Sequence, residues 1–393
     1  MFTISASGPQ GDSSARTSVV TDDSLAIYAD LVKETELRRR VNVLYPNPQS
    51  IFDGLQVGYV GVRHGNLTFR RRDLVSGTNN WAHFSRVYDS RIKRGGDFGP
   101  GWRLSLNEAL TVADDGLVYT DGSGARHSFK LAVPMERSAR REPLMPEQVQ
   151  INADGTTVRS PSFLAPGAYA ASPVTPQHAL TTIEVAGPVA VLRNGKTTRV
   201  FERPLPQEEG SGTYRLSSIV SSNDEWLALS YRNGLISAVS DADGMLFGIT
   251  RDRFGRILSV QDRWGRQVHY RYDAGGRLRE VWDIAGNVWR YDYTPHNRLA
   301  RAMGPNGRDI LRVRYDGAGR VKESLSGREY AFTYAQGETV VVEGTGHSHI
   351  FGRNAAGITS HFDSTNGMWW RLTLDERNRV IKARSSNGAY QYA

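Results

Sequence analysis

Arg271–Asn287 reads RYDAGGRLREVWDIAGN. A Tyr-Asp pair runs into Gly-Gly-Arg-Leu, and a second turn signal, Asp-Ile-Ala-Gly-Asn, closes the stretch. Asp and Asn bond their own backbone in turns, and Gly supplies positive φ, so two turns bracket one short strand. The grammar recurs along the chain. The apolar residue after Gly-Arg, or its equivalent, falls at Leu235, Ile257, Leu278, Leu299, Val321, Ile358 and Val380, in steps of 22, 21, 21, 22, 37 and 22. The long step contains GETVVVEGTGHSHIFG (337–352), which reads as an added hairpin. A fixed period near 21 residues marks a repeated supersecondary unit, here one β-hairpin per repeat. One hairpin cannot bury its apolar face alone, so consecutive hairpins are expected to pair edge to edge into a continuous, twisting sheet.

Composition agrees with a chain that turns often. Of 393 residues, 39% are apolar and 23% charged, which makes the chain globular rather than disordered. The 40 Gly suit frequent turns, and the 17 Tyr and 8 Trp suit strands. The formal charge is +8, but the basic residues are scattered, with runs only at Arg38–Arg40 and Arg70–Arg72. A nucleic-acid partner is not expected from that pattern, since such binders carry a basic face with interleaved aromatics. The two arginine runs read as solvated faces or protection of sheet edges. There is no Cys, which excludes disulfides, thiolate nucleophiles and Cys-ligated zinc. No stretch reaches the length of a membrane span, and the first residues show no signal-peptide core. The expectation is synthesis in the cytoplasm, with export by a route that reads no N-terminal signal left open.

Four regions are expected. Residues 1–45 hold a helix over about residues 22–40, where Leu25, Tyr28, Ala29 and Val32 recur at helical spacing. Residues 46–130 are short alternating runs separated by turn signals such as Asp-Gly-Ser-Gly (121–124). Residues 131–185 are Pro- and Ala-rich without a clear period and read as an excursion. Residues 186–393 are the hairpin array.

The motifs YDAGGRL (272–278), YTPHNRL (293–299) and YDGAGRV (315–321), with weaker copies at 351–358 and 374–380, resemble the YD-repeat, or Rhs, family. GNLTFRRRDLV (65–75), RVYDSR (86–91) and FGPGWRLSLNEAL (98–110) resemble the segment that leads into those repeats. The resemblance covers roughly residues 55–130 and 186–393. It rests on Gly99, Pro100, Gly101 and Trp102 and on Tyr272, Asp273, Gly276, Tyr293, Tyr315 and Asp316. It implies an all-β fold, an antiparallel strip of YD hairpins that curls or spirals into an open or small closed cage, here with one N-terminal helix. It further implies a structural sheet without catalytic repeats. In Rhs toxins and Tc-toxin components such shells enclose a toxin, and in teneurins they belong to a receptor. This chain is shorter than toxin-enclosing shells and shows neither an Asp-Pro-rich cleavage motif nor a PAAR-like spike. Cargo, self-cleavage and delivery are therefore not carried over.

The residues themselves favour wall and turn roles. Tyr272 and Asp273 read as a ring on the sheet and a turn carboxylate, not an acid–phenol pair. His347 and His349, spaced i and i+2, would share a strand face and are weak metal candidates, with solvated rim histidines the expected reading. Ser-Asp-Ala-Asp-Gly (240–244) starts like a calcium loop but has Asp252, not Glu, at the twelfth position. No cofactor is expected. Trp264, Trp282, Trp289, Trp369 and Trp370 are not demanded by the repeat and are the candidates for an aromatic-lined cavity holding an apolar, sugar or peptide ligand. The expected function is a non-catalytic shell module that encloses or binds a partner polypeptide in a bacterial toxin-type system. The alternatives are an enzyme using the concave interior as a reaction chamber, and an extracellular carbohydrate-binding or adhesion module.

Overall fold

The computed structural model describes residues 2–7, 17–19, 56–75, 82–93, 95–113, 116–134, 149–151, 157–159, 167–171, 181–193, 197–203, 212–221, 225–355, 357, 359–374, 380–386 and 388–392. Among them every regular element is a strand. The expected helix over residues 22–40 lies outside the described residues. The chain divides into two compact units. One comprises Met1–Ser105, Pro173–Ala179 and Phe247–Ala393, the other Leu106–Ser172 and Leu180–Leu246.

In the first unit the repeats form a hairpin series. Ile257–Asp262, Gln267–Tyr272, Leu278–Trp282, Val288–Tyr293 and Leu299–Met303 pair antiparallel, each with the next. The series runs on through the extra hairpin Glu338–Glu343 and Ser348–Arg353 to Gly388–Tyr392, whose outer edge pairs with Phe2–Ser7. The period-2 alternation of the strands puts one face inside. Ile257, Leu278, Leu299 and Val321 are each 0% exposed. Leu235 departs from this set at 36% exposed. It belongs to the other unit and flanks a two-residue turn, Asn233-Gly234, rather than the five-residue turn of the later repeats.

Residues 56–105 form the lead-in segment of this unit. Thr68–Val75 pairs with His83–Asp89, which pairs with Trp102–Leu104, and Gly95–Gly96 pairs with Gly99–Pro100. Its apolar side chains lie against the buried face of the repeats. Phe98 meets Tyr270 at 4.8 Å, Phe84 meets Phe247 at 5.9 Å, and Trp102 meets Tyr291 at 5.3 Å between ring centroids. Trp102, Phe84 and Phe98 are 0% exposed, so the face that sequence offered as a concavity is filled by the chain's own lead-in.

In the second unit eight strands pair in succession: Ala109–Ala113, Gly116–Thr120, Arg126–Pro134, Gly167–Ala171, Thr182–Ala186, Val189–Arg193, Thr197–Glu202 and Thr213–Ser221. The last also pairs with the first, so the pairing returns to its start. Gly167–Ala171 and Thr182–Ala186 are thus sheet strands within the Pro- and Ala-rich segment.

Candidate functional site

The repeat turn explains the Tyr-Asp pair. Asp273 N–H donates to the Arg277 carbonyl at 3.0 Å, and Gly276 N–H returns to the Asp273 carbonyl at 2.9 Å. Closing five residues this way requires a left-handed residue at the fourth. Gly276 supplies it at φ 76°, and Asn297 does so in the next equivalent turn at φ 60°. The Asp273 carboxylate then accepts the amides of Gly275 and Arg277, both at 3.0 Å, and the Arg277 Nε at 2.7 Å. Asp252 and Asp316 do the same with Arg256 and Arg320. Burial opposes ionisation of Asp273, but these hydrogen bonds and the Arg277 charge hold its carboxyl below the usual range.

Each clip also reaches the neighbouring repeat. Arg277 lies 5.5 Å from the ring centre of Tyr293, whose hydroxyl donates to the carbonyl of Leu278 at 2.7 Å. Arg256 stands likewise over Tyr272, which donates to Ile257 at 2.6 Å, and Arg320 over Tyr334, which donates to Val321 at 2.7 Å. Tyr315 donates to Leu299 at 2.8 Å. Burial raises Tyr272, Tyr293 and Tyr315 above the ordinary phenol range, so at neutral pH these groups are hydrogen-bond donors and not bases.

The lead-in segment completes the repeats from inside. A strand irregularity beside each clip leaves the amide of the following apolar residue without a strand partner. Ile257 N–H donates to the Asp97 carbonyl at 2.8 Å and Val321 N–H to the Gly65 carbonyl at 2.7 Å. Leu299 N–H donates to the Tyr88 hydroxyl at 2.8 Å. The Gly-Pro-Gly-Trp motif sits in the same layer. A Cβ on Gly99, at φ 87°, would lie 2.3 Å from the Gly276 carbonyl oxygen, and one on Gly101 would lie 2.3 Å from the Tyr88 ring. Trp102 Nε1 donates to the Tyr293 hydroxyl at 3.0 Å.

Several ionisable groups inside the protein answer one another. Arg86, 1% exposed, meets Asp73 at 2.8 Å and donates to the Tyr291 hydroxyl at 2.9 Å, while Tyr270 donates to Asp73 at 2.7 Å. Burial opposes the Arg86 charge, yet Asp73 beside it keeps the guanidinium protonated. In the second unit Glu108 takes Arg199 at 2.8 Å and the Tyr119 hydroxyl at 2.7 Å. His127 meets Asp121 at 3.0 Å, and Ser123 gives its hydroxyl to the same carboxylate at 2.6 Å. That serine is turned to the acid rather than to the imidazole, the reverse of a nucleophilic triad.

The sequence-derived candidates do not assemble into one site. His349 is buried at 0% exposed, bonded to Glu343 at 3.1 Å and stacked on Phe362, so it is not a solvated rim histidine. His347 lies in the turn before the strand Ser348–Arg353, so the two imidazoles do not share a strand face. Among the described residues no three metal-ligating side chains converge. Trp264 and Trp369 are exposed at 54% and 37%, while Trp370 is buried against Phe362. Trp282 and Trp289 are half-buried beneath Arg271 and Arg71, at 4.9 and 3.9 Å. Trp264, Trp282, Trp289 and Trp369 thus make separate arginine–aromatic contacts, and Trp370 packs on Phe362. Arg71, expected as a solvated or edge residue, is one of the partners.

One opening does contain motif residues. A cleft of about 450 Å³ is lined by Gly95, Gly96, Gly99, Pro100, Phe254, Arg256 and the turn Asp273–Gly276. Phe254 was not singled out by the sequence reading. The signal was there: the third turn position is Gly275, Ala285, His296, Asn306 and Ala318 elsewhere, and aromatic only at Phe254 and Trp264.

Residues 213–336 match the Teneurin YD-shell family, and residues 59–129 match a domain of unknown function, DUF6531. Over residues 213–336 the chain is thus similar to YD shells, in keeping with a YD/Rhs-like protein. Double-stranded DNA deaminase toxin A of Burkholderia cenocepacia (strain H111) is 27% identical over 141 residues, covering 30% of this chain and 10% of that protein. Among solved structures, TcdB2-TccC3 without its hypervariable C-terminal region is similar at 10% identity, with a TM-score of 0.34, over 79% of this chain and 19% of that one. The Photorhabdus luminescens Tc holotoxin pore is similar at 9% identity, with a TM-score of 0.34, over 94% of this chain and 22% of that one. The chain thus spans about a tenth of the curated relative and about a fifth of the structural ones.

Proposed function

We propose that this chain is a non-catalytic wall module of an Rhs-type shell and that it binds a partner polypeptide. One observation carries the reading. The buried groups Asp73, Glu108, His349, Tyr119 and Tyr270 are bonded to structural neighbours, while Phe254 and Trp264 stand exposed on turns. A reaction chamber needs ionisable groups that face an enclosed space. A binding wall needs rigid strands with apolar groups outside. Synthesis in the cytoplasm and signal-independent release belong to the same proposal. Native mass spectrometry of the purified protein tests it. The expected result is a co-purifying polypeptide; a monomer carrying a small organic molecule that it converts would overturn the reading.

A further inference from the structure

Five Asn-Gly pairs occur in the chain, with the asparagine at 194, 233, 306, 366 and 387. Such a pair is open to self-modification, because the glycine amide meets no side chain on its way to the asparagine carboxamide. The pairs at 233, 306 and 366 lie among the described residues, and the structure sets one apart. Asn306 and Asn366 hold the third position of repeat turns. Their carboxamide oxygens accept the amides of Arg308 and Met368, both at 3.0 Å. The amides of Gly307 and Gly367 donate to the carbonyls of Gly304 and Ser364, also at 3.0 Å. In both turns the attacking nitrogen and the attacked carboxamide are bonded elsewhere.

Asn233-Gly234 differs on each count. It is the two-residue turn between Trp226–Arg232 and Leu235–Asp241, closed by the pair Arg232–Leu235, with both turn residues left-handed at φ 51° and 74°. Asn233 is exposed. Among the described residues neither its carboxamide nor the Gly234 amide has a hydrogen-bond partner. A guanidinium also stands beside the pair. Arg215 Nη2 lies 3.2 Å from the point that a Cβ on Gly234 would occupy, and the same group faces the Tyr231 ring at 5.9 Å. A cation in that place favours each anion that forms on the way from carboxamide to acid: the deprotonated amide, the oxyanion of the adduct and the carboxylate of the product.

We propose that Asn233 is a self-modification site, at which the chain turns its own carboxamide into a carboxylate with the help of Arg215. The Gly234 amide gives its proton to solvent, and its nitrogen bonds to the side-chain carbonyl carbon of Asn233. The bond from that carbon to Nδ2 breaks, and ammonia leaves a five-membered succinimide behind. Water opens the ring to Asp or to isoaspartate. The Asp product keeps the two-residue turn and adds a negative charge near Arg215. The isoaspartyl product lengthens the main chain by one carbon, in a turn whose length fixes strand register. The site is independent of the partner reading.

Peptide mapping by mass spectrometry, on the full chain aged in mildly alkaline buffer, tests the proposal. Asn233 should convert about tenfold or more faster than Asn306 and Asn366. In urea that unfolds the chain the three rates should converge, because the folded turns and not the dipeptide set them apart. Arg215→Gln should slow conversion at Asn233 about threefold or more, and Arg215→Lys should restore it, both at wild-type melting temperature. Equal rates at the three sites in the folded chain, a lead of Asn233 that persists undiminished in urea, or a wild-type rate in Arg215→Gln would each overturn it. The first two outcomes need no variant, so a variant that folds poorly leaves the test standing.

Discussion

Tyr293 and Tyr272 occupy equivalent repeat positions but carry different duties. Tyr272 donates one hydrogen bond, to Ile257. Tyr293 donates to Leu278 and also accepts from the fully buried Trp102. Tyr272→Phe should cost about 1 kcal/mol. Tyr293→Phe should cost about 2–3 kcal/mol, because it strands an indole N–H with no route to water. Urea titrations of the two variants check the order. The acids add a pH dependence. Against the opposing effect of burial, Arg and amide hydrogen bonds hold Asp252, Asp273 and Asp316 below their unfolded values. A depressed folded pKa gives stability that is complete above the unfolded value and lost as pH falls through the folded one. Melting temperature should therefore drop below about pH 4, and Asp273→Asn should reduce the drop. The turn role of Asp273 was legible in its neighbours, Gly and Arg. The stacking of Arg277 on Tyr293 was not, because no sequence rule fixes the lateral distance between hairpins.

At the scale of the element, periodicity told most of the story. Alternation and turn residues located the hairpins from Ile257 onward, and the step of 37 residues revealed the extra one. The same signals missed how the lead-in docks. Tyr88 and Leu299 are 211 residues apart, and nothing local in either marks the other. Gly99 is the hinge of that docking. Gly99→Ala should force the Gly-Pro-Gly-Trp layer off the Gly276 carbonyl, at a cost of more than about 3 kcal/mol if the fold survives. Hydrogen exchange gives the specific readout. The amides of Ile257, Leu299 and Val321 should lose protection, while that of Val281, held by the strand ladder, should keep it.

For the molecule as a whole, charge and composition set the class, and the repeat grammar set the fold of its larger part. The sealing of the repeat face was not legible, because sequence shows that strands are apolar on one side but not what covers that side. Removing residues 56–105 should therefore leave a sheet with Val281, Tyr291 and Leu299 open to water, all at most 1% exposed in the intact chain. Strong binding of an apolar dye and loss of near-UV ellipticity would report it. Unchanged spectra would contradict the layer described above.

The lead-in also works as a gauge. Asp97 meets Ile257, Gly99 meets Gly276, Tyr88 meets Leu299 and Gly65 meets Val321, so a fixed length of one segment is matched to a fixed number of hairpins. The clips refer only to nearest neighbours and by themselves set no limit on copy number. Duplication of one hairpin between Ile257 and Val321 would throw every later contact out of step, whereas strands added after Gly357, where Arg63 still reaches the repeats, would leave these contacts in register. Length variation in proteins built this way should accumulate in the ungauged part of the strip.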